Sequence, residues 1–147
     1  TSLLAGGRQE LVRVEEFQGK IEAACAARSE DGPLVIARTE ALIAGAGLEE
    51  AHRRGRAYAE AGADLILVHS KQKTPHEVLA FCAHWDLKTP IALVPPAYPD
   101  LTESKMRATG KIGLVIYGNH AIRAAVTEMK RVFARIREEG GIKSVDK

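Results

Sequence analysis

Aromatic side chains are scarce in this chain: one Trp, three Tyr and three Phe make up 5% of its 147 residues. So thin a supply leaves little for stacking on nucleobases. An excess of one charge is also lacking, since 21 Lys and Arg stand against 19 Asp and Glu, a formal net charge of +2. Nucleic-acid faces declare themselves as basic excess, so no nucleic-acid partner is expected. Cysteine is rare, and Cys25 and Cys82 show no CxxC spacing. Both read as small buried apolar residues of a reducing compartment rather than as a disulfide or metal pair. No apolar run approaches the roughly 18 residues of a membrane span, and no secretory leader is recognisable. No membrane partner and a cytoplasmic location are therefore expected. The patterns GxGxxG, GxxxxGK[ST] and HExxH are missing as well. Nothing thus points to a dinucleotide fold, a P-loop or a zincin-type metal site.

What is present is an alternation of two patterns. Residues 1–10, "TSLLAGGRQE", read as a loop. From Val12 to Arg28, the apolar Val14, Phe17, Ile21, Ala24 and Cys25 fall at helical spacing. "LVIA" at 34–37 is a short apolar run, expected as a strand buried on both faces. Further helices are expected over 48–61, from Pro75 to about Trp85, from a Thr102 cap to Gly110, and from Asn119 to about Glu139. Further strands are expected at 64–70, 90–95 and 112–118. The order is α-β-α-β-α-β-α-β-α. Apolar strands alternating with helices imply an α/β fold whose parallel sheet is covered by helices. Without a nucleotide fingerprint to support a doubly wound sheet, part of a (β/α)8 barrel is the other option. A whole barrel takes ~250 residues, so four βα units are half of one.

In such folds chemistry gathers at the carboxyl ends of the strands. The first strand delivers Arg38 and Glu40, and the second His69 and Ser70, then Lys71 and Lys73. The third delivers Pro95, Pro96 and Tyr98, and the fourth Tyr117, Gly118, Asn119 and His120. Arg38 reads either as a structural partner of Glu40 or as a bidentate clamp on a carboxylate or phosphoryl oxygen. His69 reads either as a satisfied structural residue or, beside Arg38, as a donor to an oxyanion. Asn119 suits an N-cap, and a helix N-terminus also suits an anion. Lys71 and Lys73 read as solvated loop charges. Arg53, Arg54 and Arg56 read as an exposed, salt-bridged helix face, and His52, His76 and His84 as surface residues.

Three stretches carry a resemblance: "VIARTEALIAG", "AYAEAGADLILVHS" and "GLVIYGNHAIRAAV". They resemble the second half of the phosphoenolpyruvate mutase/isocitrate lyase superfamily, over nearly the whole chain. "RQELVRVEEFQGKI", "HSKQKTP" and "YGNHAIRAAV" are similar in particular to its phosphonopyruvate-hydrolysing branch. The resemblance implies that residues 1–147 are a single partial domain, the C-terminal half of a TIM-type barrel. It implies an enzyme that cleaves the carbon–phosphorus bond of phosphonopyruvate, giving pyruvate and phosphate through a Mg²⁺-stabilised enolate. Thr1, Arg38 and His69 would be catalytic, Arg38 and His69 substrate-binding as well, with Glu40 orienting Arg38 and Asn119 supporting. Thr1 falls where the gating loop of the family ends, and Thr there favours hydrolysis, as does Gly118 where mutases tend to have Ala. Pro96 stands where relatives usually have Thr.

No metal ligand is expected in this chain. The resemblance puts the acidic ligands of Mg²⁺, or of another divalent metal, upstream of Thr1, in a missing front half, and implies a homo-oligomer, dimer or tetramer, at full length. The alternatives are a mutase or carbon–carbon lyase of the same superfamily, and a non-catalytic half-barrel that binds anions. A half-barrel leaves two open edges of apolar strands, so residues 1–147 alone are expected to aggregate or dimerise.

Overall fold

A computed structural model describes residues 10–145. The chain divides after Ile116 into two compact units. The first holds α1 (Val14–Ala27), β1 (Ile36–Thr39), α2 (Gly47–Glu60), β2 (Leu65–Val68), α3 (His76–Ala83), β3 (Ile91–Leu93), a 3-10 turn (Pro95–Ala97), α4 (Glu103–Ala108) and β4 (Ile112–Val115). The second holds α5 (His120–Glu139).

The four strands form one parallel sheet in the order β1-β2-β3-β4. Each strand lies beside its neighbour in the chain. A doubly wound sheet reverses its order part-way; a barrel wall does not. Side chains alternate between the two faces of a strand. On one face Ala37, Ile66, Val68, Ile91 and Leu93 join Val14, Ile21, Ala51, Tyr58, Phe81, Trp85 and Met106 of the helix layer in one core. On the other, Leu65, Leu67 and Ala92 form a smaller cluster with Val94 and Leu114. We call these the outer and the inner face.

Close packing of α2 on α3 depends on Gly55. A Cβ there would lie 3.0 Å from the Trp85 ring and 3.2 Å from that of Phe81. Trp85 is fixed in turn by donating its Nε1–H to Thr89 O at 2.7 Å.

The first strand begins two residues later than its apolar run. Leu34 is 66% exposed, which corrects the expectation of a strand at 34–37 buried on both faces. The cause is Asp64. Its carboxylate accepts the Val35 amide at 2.7 Å and pairs with Arg28, so the ladder opens only at Ile36, opposite Leu65. The Arg28 bond, then the Val35 amide, hold the Asp64 carboxyl below its ordinary pKa. Thr102 caps α4 as expected, accepting from the Lys105 amide at 3.4 Å. Cys82 is buried, whereas Cys25 is partly exposed and donates to Gly62 O at 3.2 Å.

In the second unit, Asn119 precedes α5 with φ 68°, in the left-handed region, and its side chain makes no cap bond. A capping residue needs an extended backbone to turn its oxygen onto the first amides, so the N-cap expectation for Asn119 is corrected. Gly140 ends the helix at φ 67°, the usual left-handed stop. Ile122, Val126, Met129 and Phe133 form an exposed stripe along α5 at helical spacing.

Candidate functional site

The site is built within the first unit, at the carboxyl end of its sheet. Arg38 lies inside β1, opposite Leu67; the sequence had suggested a place just past the strand. Its neighbours Ala37 and Thr39 are buried, and Ala37 belongs to the outer core, so alternation turns Arg38 to the inner face. Glu40, two residues on, shares that side. The Arg38 Nε donates to Glu40 Oε1. The other carboxylate oxygen, Oε2, is buried and has no hydrogen-bond partner among the described residues.

His69 follows β2 directly and is 6% exposed. It stands two residues beyond Leu67, on the inner side by the same alternation. Burial, and then the charge of Arg38, push its pKa below the ordinary histidine value, with Glu40 opposing. The imidazole is therefore held neutral near pH 7, with one N–H to give and one lone pair. Its Nδ1 is buried without a hydrogen-bond partner among the described residues. Next to it, the Ser70 hydroxyl bonds the Glu77 carboxylate. The buried Tyr98 hydroxyl meets the Ser70 backbone.

A cavity of about 380 Å³ lies beside Arg38 and Glu40, lined also by Val12, Phe17, Arg54 and Tyr58. Arg54 is 7% exposed, which corrects its reading as part of a solvated face. It donates to Val12 O at 2.9 Å, to the Tyr58 hydroxyl at 3.2 Å and to Glu50 at 2.7 Å. This holds the segment before α1 against α2. The signal was in the sequence: Arg54 lies on the same helical face as Ala51, Gly55 and Tyr58, all four buried. His52 is corrected too. Both its ring nitrogens are buried, and the ring stacks on Phe81 at 4.3 Å. Lys71, Lys73, His76 and His84 are exposed.

Thr1 lies outside the described residues, and Asn119 belongs to the second unit. Among the described residues no group of three or more His, Cys, Asp or Glu side chains could hold a metal ion. Glu40, the carboxylate nearest in sequence to Arg38, is already engaged by it. The described residues thus do not make a divalent-cation site.

What the cluster offers is a guanidinium, fixed along its Nε edge, and a neutral buried imidazole under its influence. That pair suits a multiply charged anion. The family model for phosphoenolpyruvate phosphomutase matches residues 4–137. The chain belongs to the phosphoenolpyruvate phosphomutase family. It is 65% identical over 146 residues to phosphonopyruvate hydrolase of Variovorax sp. (strain Pal2), covering 99% of this chain and 50% of that protein. It is 44% identical to the phosphoenolpyruvate phosphomutase of Tetrahymena pyriformis, over 99% of this chain and 48% of that protein. Among solved structures, phosphonopyruvate hydrolase in complex with oxalate and Mg²⁺ aligns with a TM-score of 0.91 at 63% identity, over 97% of this chain and 50% of that one. The chain spans about half the length of the curated relatives it matches. In this member of the phosphomutase family the third strand leads into Pro95 and Pro96, which open the 3-10 turn. Pro96 brings no hydroxyl to the strand end.

Proposed function

We propose that the protein containing this chain hydrolyses phosphonopyruvate to pyruvate and phosphate. The observation that carries this is that Arg38 and the buried His69 stand on neighbouring strands at the carboxyl end of one parallel sheet. The 65% identity to phosphonopyruvate hydrolase supports the choice of substrate. In the reaction the oxygen of water bonds to phosphorus and the C3–P bond breaks. Its electron pair leaves as the enolate of pyruvate, and a proton from water ends on C3. Arg38 grips the anionic groups of the substrate. Glu40 fixes the plane in which the guanidinium meets them. His69, kept neutral, donates its N–H to an anionic oxygen, where donation counts for more in a water-poor site. Thr1, the loop residue that the resemblance links to hydrolysis, completes the proposed set.

We further propose that Mg²⁺ is held by acidic side chains outside the described residues. Bound there, it would supply positive charge to the carboxylate and keto oxygens. The Mg²⁺ and oxalate complex of the relative supports that assignment. We place the reaction in the cytoplasm; the free thiols of Cys25 and Cys82 are in keeping with a reducing compartment.

The test is phosphate and pyruvate release from phosphonopyruvate with Mg²⁺, using the full-length protein that contains this chain. Equal release of the two products is expected. Formation of phosphoenolpyruvate without free phosphate would make the protein a mutase, like its Tetrahymena relative. No turnover of either kind would leave an anion-binding protein.

A further inference from the structure

His69 is supported in a way its ring nitrogens do not explain. A working histidine is ordinarily aimed by a hydrogen bond at its second ring nitrogen. Here Nδ1 is buried and has no hydrogen-bond partner among the described residues. Among the described residues, the aim of the ring therefore comes from backbone and packing. Upstream, β2 fixes the backbone as far as Val68, which pairs with Thr39. Past that point the strand has ended.

Ser70 takes over the anchoring, and Tyr98 provides the anchor. The Ser70 N–H donates to the Tyr98 hydroxyl at 2.9 Å, and that hydroxyl donates to Ser70 O at 3.2 Å. One phenol thus closes on both backbone polar groups of a single residue, using its one proton and one lone pair. The Tyr98 ring lies 5.9 Å from the His69 ring, tilted by 51°, and Tyr98 is 1% exposed. Its own backbone is held as well. The Tyr98 amide donates to Pro95 O at 2.7 Å and its carbonyl accepts from the Leu101 amide at 3.0 Å. The Ser70 side chain is tied separately, bonding Glu77 and accepting from the Gln72 amide at 3.0 Å.

We propose that Tyr98 is a positioning residue for the reaction: it clamps the backbone at Ser70, packs on the imidazole, and so aims His69 at the substrate. This rests on the reading of His69 as a substrate contact. Glu77 plays a lesser part through the Ser70 hydroxyl. The third strand's loop is then coupled to the second strand's histidine.

Tyr98→Phe tests this in the full-length protein, because it keeps the ring and removes both hydrogen bonds. Misplacing a reacting group by about 1 Å can cost about 100-fold, so kcat is expected to fall about 10- to 100-fold. KM should change by less than about 3-fold, the split expected when a contact matters most in the transition state. With ¹³C-labelled histidine, the His69 ring signal should shift and broaden. An unchanged His69 signal overturns the proposal whatever happens to kcat, since Tyr98 would then act elsewhere. So does an unchanged kcat. If Tyr98→Phe fails to fold, Glu77→Ala, which removes the acceptor of the Ser70 hydroxyl, decides: a smaller shift with a smaller fall in kcat supports the clamp, and no change in either overturns it. If the unaltered protein does not turn over phosphonopyruvate, the functional reading fails. The His69 signal still shows whether Tyr98 aims the imidazole.

Discussion

The two faces of the sheet are made by the same four strands and differ in what they bury. The outer face is continuous with the helices, and its core runs from Val14 in α1 to Met106 in α4. The inner face has only a small apolar cluster, bordered at its carboxyl end by Arg38, Glu40 and His69. Within β1 the change happens from one residue to the next: Ala37 packs outward and Arg38 turns inward. Stability therefore rests mainly on the outer face and the proposed chemistry on the inner one. The two should respond separately to mutation.

The largest effect should come from emptying the outer core. Phe81 is fully buried between His52 and Trp85. Phe81→Ala should cost about 3–5 kcal/mol, read by urea unfolding, while the folded full-length protein keeps its kcat in the proposed reaction. Arg38→Ala should do the reverse. Phosphate release should fall about 100- to 1000-fold with little change in the unfolding midpoint; near-normal turnover would remove Arg38 from the proposed site. Gly55→Ala probes the outer face more finely. Its Cβ would press on Trp85 at 3.0 Å, at a cost of about 1–3 kcal/mol in the unfolding midpoint. A neutral result would show that α3 can yield.

The smallest effect concerns pH, and each face holds one histidine for it. Burial is the first cause lowering the pKa of both His52 and His69. The unfolded chain then binds more protons than the folded one as pH falls below about 6.5. Stability contributed by the neutral rings is present above that value and is lost toward pH 5. His52→Phe keeps a ring against Phe81 and removes the titration, so it should flatten this limb in unfolding curves taken from pH 7 to 5. The lowered carboxyls of Glu50, Asp64 and Asp86 act at more acid pH. Their stability is present above about pH 4 and lost below it.

Much of this is legible in the sequence, where the cause is local. Apolar runs mark all four strands, and Arg38 and His69 stand out because each closes such a run. What was hidden depends on partners distant in sequence. The start of β1 is set by Asp64, which takes the Val35 amide across 29 residues. Arg54 reaches Val12 across 42 residues, although its helical face already pointed inward. The Tyr98 clamp spans 28 residues, and no local pattern announces it. Asn119 failed as a cap in the opposite way: its residue type is right for the job, but its φ of 68° is wrong.

The sheet order also bears on how the chain is assembled. Each strand pairs with the one before it, about 20 to 30 residues back, so closing each contact requires only a short loop. A nascent chain can therefore add one strand and helix at a time as it leaves the ribosome, each new strand meeting an edge already in place. The Arg28–Asp64 pair, which joins the end of α1 to the entrance of β2, can form as soon as β2 has followed β1 out.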